Sequence, residues 1–479
     1  MSISTTIKTI QDIMRKDAGV DGDAQRISQL VWMIFLKVFD AREDEYERVE
    51  DNYKSPIPEG LRWRNWAADS EGITGDALLD FVDNALFKTL KELRNTATEP
   101  RGRMIGKVFE DVYNYMKNGT LIRQVINKLN EVDFNKKEQK KLFSEIYEKI
   151  LKDLQSAGNA GEYYTPRAVT KFIVDRVKPQ LGEIVLDPAC GTGGFLTAAI
   201  DYIHQHFQSA DVPEILQRTI RGTEKKPLPY NLCVTNLILH GIDVPEAEHE
   251  NTLARPLHDY NPQECVDIII TNPPFGGMEE DGIEDNFPST FRTRETADLF
   301  LVLIAHLLKK GGRGAIVLPD GTLFGEGVKT RIKEKLLQNC NLHTIVRLPN
   351  GVFNPYTGIK TNLLFFTKGE PTEKIWYYEH PYPAGYKSYS KTKPIYFEEF
   401  APEQEWWENR EVNEFAWQVS IGDLKANNYN LDIKNPHKNK AEHINLDAML
   451  KEYQILTAEL SEVRNKLKFE LKSSLEKNN

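Results

Sequence analysis

Cysteine is scarce, with four residues in a chain of 479. Cys190, Cys233, Cys265 and Cys340 lie far apart with no His/Cys pairing at metal-ligand spacing, so neither a disulfide framework nor a zinc site is expected. Long apolar runs are missing too: the most hydrophobic stretch, Phe300 to Leu308, is too short to span a bilayer and His306 interrupts it. The opening MSISTTIKTIQDIMRKD has no continuous apolar core of signal-peptide length and reads as the start of an amphipathic helix, so the expected compartment is the cytoplasm. Positive charge is in deficit, because 61 Lys and Arg face 71 Asp and Glu for a net charge of −10. Such a chain does not grip nucleic acid by its overall field, and work on DNA would call for a partner. No GxxxxGKS/T loop occurs, and the one glycine turn that follows a strand pattern reads GxGG rather than GxGxxG, which argues against an NTP-driven motor and a dinucleotide site.

What remains is a globular protein. Hydrophobic residues make up 40% and charged residues 28% of a 55.0 kDa chain with mean hydropathy −0.50, enough for about two to four domains. From Ile7 to about Leu154 the text is helical, with Ile10, Ile13 and Met14, then Ile27, Leu30, Val31, Ile34, Phe35, Val38 and Phe39 at three- and four-residue spacing. After the polar stretch Ser156 to Gly161 the pattern changes to short β-rich runs at Ile184–Leu186, Thr219–Gly222, Val266–Thr271, Gly314–Leu318, Leu342–Leu348 and Asn362–Thr367, separated by helices. That alternation predicts a doubly wound, mainly parallel α/β sheet of Rossmann-like type. Near the end, Leu446, Met449, Tyr453, Leu456, Leu460, Val463 and Leu467 alternate steps of three and four, the seam of a coiled-coil-like helix. The expected organisation is a helical domain over 1–155, a sheet domain over 156–425 and a helical tail over 426–479.

Chemistry concentrates at the predicted strand ends. Val185-Leu186-Asp187 leads into Pro188-Ala189-Cys190-Gly191-Thr192-Gly193-Gly194, a carboxylate and a glycine turn where a ligand can approach backbone closely. Glu224 closes the next strand, where a carboxylate accepts hydrogen bonds from both hydroxyls of a ribose. Together they point to a nucleoside-bearing cofactor. Upstream, Glu162-Tyr163-Tyr164-Thr165-Pro166-Arg167 precedes a helix that Thr165 is placed to cap, with Pro166 at its first position. The start of that helix could receive a carboxylate. The sharpest signal is Asn272-Pro273-Pro274-Phe275 directly after an apolar strand. Two prolines remove two donors and preset the backbone, leaving carbonyls and the Asn272 amide oxygen to accept from a planar amino group while Phe275 stacks on its ring. The acidic segment Glu279 to Asp285, followed by Arg292 and Arg294, reads as a solvated loop, with a substrate gate as the alternative.

These residues resemble the S-adenosylmethionine-dependent amino methyltransferases, and specifically the modification subunits of type I restriction-modification systems. The likeness spans nearly the whole chain: QDIMRKDAGVDGDAQRISQLVWMIFLKVFDAREDEYE, EYYTPR, DPACGTGGFL, TNPPFGG, GGRGAIVLPDGTLFG, LPNGVFNPYTGIKTNLLFF and NYNLDIKNP. The resemblance implies that Glu162 to Arg167 close over S-adenosylmethionine, that Gly191 and Thr192 to Gly194 line its methionine end, that Glu224 binds ribose and that Asp187 supports the same pocket. The adenine-ring position falls to Asn251. The methyl acceptor would be N6 of adenine in duplex DNA, with Asn272, Pro273, Pro274 and Phe275 at the reacting amino group. A separate specificity subunit would read the sequence, a second copy of this chain would complete the grip on DNA, and a restriction subunit would join them, with the C-terminal helix as the docking element.

Other readings use the same features. NPP-aromatic turns also serve methylases of protein glutamine or RNA amino groups and of cytosine N4, and a noncatalytic scaffold could retain the fold. The intact glycine turn, Glu224 and NPPF argue against decay. A nuclease reading fails because Pro319-Asp320 is followed by Glu326-Gly327-Val328-Lys329, one residue too long for an ExK pair.

Overall fold

The computed structural model describes residues 3–131 and 164–437, together with 457, 460, 461, 463, 464 and 466–468. Glu162 and Tyr163, and the tail positions Leu446, Met449, Tyr453 and Leu456, lie outside the described residues. Among the described residues no helix is long and apolar enough to cross a membrane.

The N-terminal part is helical, with its longer helices at Ile3–Met14, Gly22–Val49, Phe87–Thr96, Pro100–Phe109 and Gly119–Asn130. The three- and four-residue spacing has its expected consequence: Ile10, Met14, Ile27, Leu30, Val31, Ile34, Phe35, Val38 and Phe39 are all buried in one core. Aromatic edges fill it, with Trp32 against Phe87 at 5.0 Å and Phe109 against Phe87 at 5.5 Å. Gly106 lets two helices approach closely, because a Cβ there would lie 2.0 Å from the Arg94 backbone nitrogen.

Among the described residues nine strands form one sheet: β1 (Val185–Asp187), β2 (Ile220–Glu224), β3 (Glu246–His249), β4 (Val266–Thr271), β5 (Leu308–Pro319), β6 (Cys340–Arg347), β7 (Thr361–Lys368), β8 (Lys374–Glu379) and β9 (Ala416–Ser420). Their order is β3-β2-β1-β4-β5-β7-β6-β8-β9. The first five in that order are mutually parallel, whereas β7 is antiparallel to both β5 and β6, and β9 is antiparallel to β8. The predicted doubly wound sheet is therefore present with two reversed strands. The reversal of β7 has a local cause: residues 348–360 return from β6 without a helix, and a parallel neighbour would need a longer helical crossover. Strand order reverses between β1 and β4, which opens a crevice at their carboxyl ends.

Three strands escape the sequence pattern. The β3 residues Glu246-Ala247-Glu248-His249 carry too much charge to read as apolar, and β3 is an edge strand that buries only Ala247. The β8 and β9 strands lie at the other edge.

The helical part is joined to the sheet by a shared helix. Pro227–Leu239 is buried almost all round, and Tyr230, Leu232, Val234 and Ile238 belong to the N-terminal core while Cys233 and Leu237 face the sheet core. At its end, Arg42 and the Tyr46 hydroxyl both bond to the Asp243 carboxylate, the latter at 2.8 Å.

Gly106→Ala should force the Phe87–Thr96 and Pro100–Phe109 helices apart and destabilise the protein by about 1–3 kcal/mol. Thermal melting checks this against Gly60→Ala, where a Cβ meets nothing within 4 Å and the melting temperature should hold.

Candidate active site

The site is built where β1 and β4 part. The β1 strand ends in Asp187, whose carboxylate accepts the Ala189 N–H at 3.1 Å and the Thr271 hydroxyl at 2.6 Å. That second bond ties the end of β1 to the end of β4, one residue before Asn272. The turn that follows needs glycine at two points, since Gly191 and Gly193 have φ of 53° and 78°. Gly193 is doubly constrained, because a Cβ would lie 2.9 Å from the Cys233 sulfur on the shared helix. From that helix Asn236 donates to the Thr192 carbonyl at 3.1 Å.

Glu224, at the end of β2, faces the same turn. Its carboxylate accepts the Gly191 N–H at 2.9 Å and the Lys226 N–H at 2.7 Å, so the acid that could hold a ribose also fixes the glycine turn. Asp187 is buried and burial pushes its carboxyl up to about 7, with the Glu224 charge adding to the rise and the Thr271 and Ala189 bonds opposing it.

After β4 the chain turns at NPPF. The Asn272 side-chain nitrogen donates to the Thr165 hydroxyl at 3.0 Å, which fixes the amide orientation. Its Oδ1 is buried and has no hydrogen-bond partner among the described residues. An unpaired buried acceptor costs about 1–3 kcal/mol, so an incoming donor is its complement. Phe275 packs edge-on against Phe353 at 5.6 Å, which places the aromatic of NPPF beside the loop between β6 and β7.

Thr165, Asp187, Gly191, Thr192, Gly194, Glu224, Asn272 and Pro274 line one cavity of about 310 Å³. Sequence positions more than a hundred apart thus meet at one sheet edge. The glycine cradle, the ribose-type acid and the orphaned amide oxygen suit a nucleoside cofactor beside an amino-group acceptor. Gly193 supports the turn from behind, and Pro273 is buried next to Asn272.

Three placements differ from expectation. Thr165 does not cap the following helix: that helix runs Arg167–Val177 with Pro166 at its N-cap, and the Thr165 hydroxyl is taken by Asn272. Arg167 turns away from this cavity and lines another of about 610 Å³ with Thr197, Asp201 and His240, its guanidinium over the Tyr164 ring at 5.9 Å. The acidic segment is divided. Glu280 and Asp281 are exposed, as a solvated loop requires, but Glu279 is buried, lines the cavity and accepts from Thr296 at 2.9 Å, Asn251 at 3.1 Å and Lys225 at 3.3 Å. Glu279 was missed because a lone buried acid inside an acidic run carries no periodic signal. Asn251 spends its amide on Glu279 and on the Leu253 N–H. Among the described residues no group of His, Cys, Asp and Glu is arranged to hold a metal ion.

Two family models match the chain. The N-6 DNA Methylase family model matches residues 138–444 and the HsdM N-terminal domain model matches residues 3–129. The type I restriction enzyme EcoEI methylase subunit of Escherichia coli is 60% identical over 478 residues, covering 98% of this chain and 97% of that one. A crystallised modification subunit of a type I restriction enzyme from Vibrio vulnificus YJ016 superposes with TM-score 0.82 at 44% identity, covering 91% of this chain and 97% of that one. A chain solved in work on complex assembly and conformational transition of the type I R-M system gives 0.81 at 35% identity, covering 97% and 98%.

Because the folded pKa of Asp187 is raised, its contribution to stability is present below the ordinary carboxylate range and is lost as pH rises through about 7. The neutral variant Asp187→Asn should therefore gain on the parent between pH 4 and pH 8 by on the order of a few kcal/mol, read as a growing difference in melting temperature.

Proposed function

We propose, for a chain that belongs to the N-6 DNA methylase family and within it to the methylase subunits of type I restriction enzymes, that the cavity at the β1/β4 crevice holds S-adenosylmethionine beside a flipped adenine of duplex DNA. The observation that carries this reading is Asn272 Oδ1, a buried acceptor with no partner among the described residues, held in orientation by Thr165.

The cofactor supplies a methyl group already activated on sulfur. Gly191 to Gly194 cradle its methionine end, Glu224 takes the ribose, and Tyr164 to Pro166 close the entrance. Asp187 holds the turn and β4 in register. Asn272 Oδ1 and the Pro273 carbonyl accept the two N–H bonds of the adenine amino group, which favours a pyramidal nitrogen with its lone pair freed from the ring and stabilises the positive charge that develops there. Pro274 removes a competing donor, and Phe275 stacks on the base, offsetting the few kcal/mol that flipping costs. The protein's contribution is alignment and exclusion of water rather than covalent catalysis.

A specificity subunit reads the DNA sequence, a second copy of this chain completes the grip, and a restriction subunit joins the assembly. Two features support the division of labour. The net charge of −10 leaves the chain short of phosphate-binding capacity. In the tail, Leu460, Val463 and Leu467 are helical and exposed at 62%, 63% and 62%, an apolar row at three- and four-residue spacing that fits a partner helix.

Labelled methyl should pass from S-adenosylmethionine to duplex DNA as N6-methyladenine only when the cognate specificity subunit is present. Methyl transfer to protein or RNA in its place would overturn the assignment. Asn272→Ala and Phe275→Ala should each lower transfer by 10²-fold or more while leaving cofactor binding intact by calorimetry. Replacing Leu460, Val463 and Leu467 together by Asp should abolish co-elution with the specificity subunit in size-exclusion chromatography without changing cofactor affinity.

A further inference from the structure

Two loops at the active edge carry basic and aromatic residues and no acid. Residues 348–360, between β6 and β7, and residues 380–397, after β8, contain no Asp or Glu, although acidic residues number 71 in 479. They hold Lys360, Lys387, Lys391 and Lys393, interleaved with Tyr356, Tyr382, Tyr386, Tyr389 and Tyr396. In an acidic protein this is a local reversal of field.

The loops form one surface. The Tyr382 hydroxyl donates to the Asn350 carbonyl at 3.0 Å, and the Asn354 side chain donates to the Tyr389 carbonyl at 2.9 Å. Between them and the ends of β6 and β8 lies a cavity of about 400 Å³, walled by Arg347, Lys360, Glu379, His380, Lys387 and Lys434 among others. Because β7 is antiparallel to β5 and β6, and β8 is parallel to β6, this cavity opens at the same sheet edge as Asn272. Phe353, in the first loop, packs on Phe275 of NPPF at 5.6 Å, so this loop adjoins the turn proposed to receive the base.

The charges are not equally available. Arg347 and Lys434 are both engaged by Asp432, and Lys393 sits over the Tyr386 ring at 5.2 Å. Lys360, Lys387 and Lys391 are exposed and make no ion pair with a carboxylate among the described residues.

We infer that these two loops hold the phosphodiester backbone of the DNA strand whose adenine enters the site, with Lys360 and Lys387 contacting phosphates at the cavity and Lys391 continuing the track outward. This rests on the adenine methylation proposed above. A flipped base stays attached to its backbone, so the phosphates on either side of it must lie at this edge when the amino group reaches Asn272. Ammonium groups supply that contact without sequence information, which leaves base reading to another chain.

The test uses the assembled complex with the cognate specificity subunit and duplex. For Lys360→Ala, Lys387→Ala and the double variant, DNA affinity is measured across a salt series together with the steady-state KM for DNA. Each lysine removed should lower the slope of log K against log salt by about one, and the double variant should raise KM for DNA about tenfold or more, equally for cognate and non-cognate duplex binding. S-adenosylmethionine affinity should not move, and Lys335→Ala on the Val328–Asn339 helix should leave the slope unchanged. A double variant with parental slope and KM that still makes N6-methyladenine overturns the backbone track alone. A slope that falls as expected in a complex whose parent makes no N6-methyladenine overturns the methylation reading and leaves the track standing.

Discussion

The hydrogen bond from Thr271 to Asp187 joins the two strand ends on which the whole edge depends. One strand feeds the glycine turn and the other feeds NPPF, and the sheet order reverses between them; their backbone ladder reaches Leu186 and Ile269, and this side-chain bond carries the tie beyond it to the strand ends. At 2.6 Å, and buried, the bond sets the Asn272 amide against the turn that would hold the cofactor. Its position explains why a carboxylate is kept where burial opposes its charge: Asp187 accepts from Thr271 and from Ala189 at once, serving both walls.

The polar groups around it divide into those spent on architecture and those held back. Glu224 spends two acceptors on the backbone of its own edge, Thr165 spends its hydroxyl on Asn272, and Glu279 is surrounded by three donors. Among the described residues, Asn272 alone of these keeps an oxygen unmatched. A folded protein tolerates such an atom at a cost, and the cost is recovered when a donor arrives. The supporting shell extends into the helical part through the shared Pro227–Leu239 helix, which contacts the glycine turn through Asn236 and Cys233 and the N-terminal core through its other face.

Much of this was legible in advance where a residue's neighbours in sequence are its neighbours in space. The Gly22–Val49 helix was legible because 3.6-residue periodicity is imposed by burial on one stripe. The central strands were legible because a sheet covered on both faces demands continuous apolar runs, as in Val266–Thr271. Edge strands such as Glu246–His249 answer to water on one side and lose that signature. At the site, the strand-end residues Asp187, Gly191, Glu224 and Asn272 were legible because secondary structure alone sends them to one edge. Thr165, Arg167 and Glu279 were not read correctly, since each is decided by a partner far away in the chain: Asn272 for Thr165, Thr197 and the second cavity for Arg167, Thr296 and Lys225 for Glu279.

By itself, then, the sequence determined the class of fold, the strand ends at which chemistry collects and the acceptor character of NPPF, because these follow from periodicity, glycine conformations and the missing donors of proline. Only the tertiary structure decided which of those polar groups are satisfied and which remain open. It also decided that the acid-free loops after β6 and β8 come together beside Phe275 on the active edge. Hydrogen-bond satisfaction and surface continuity are properties of groups brought together across long stretches of chain, and no local pattern records them.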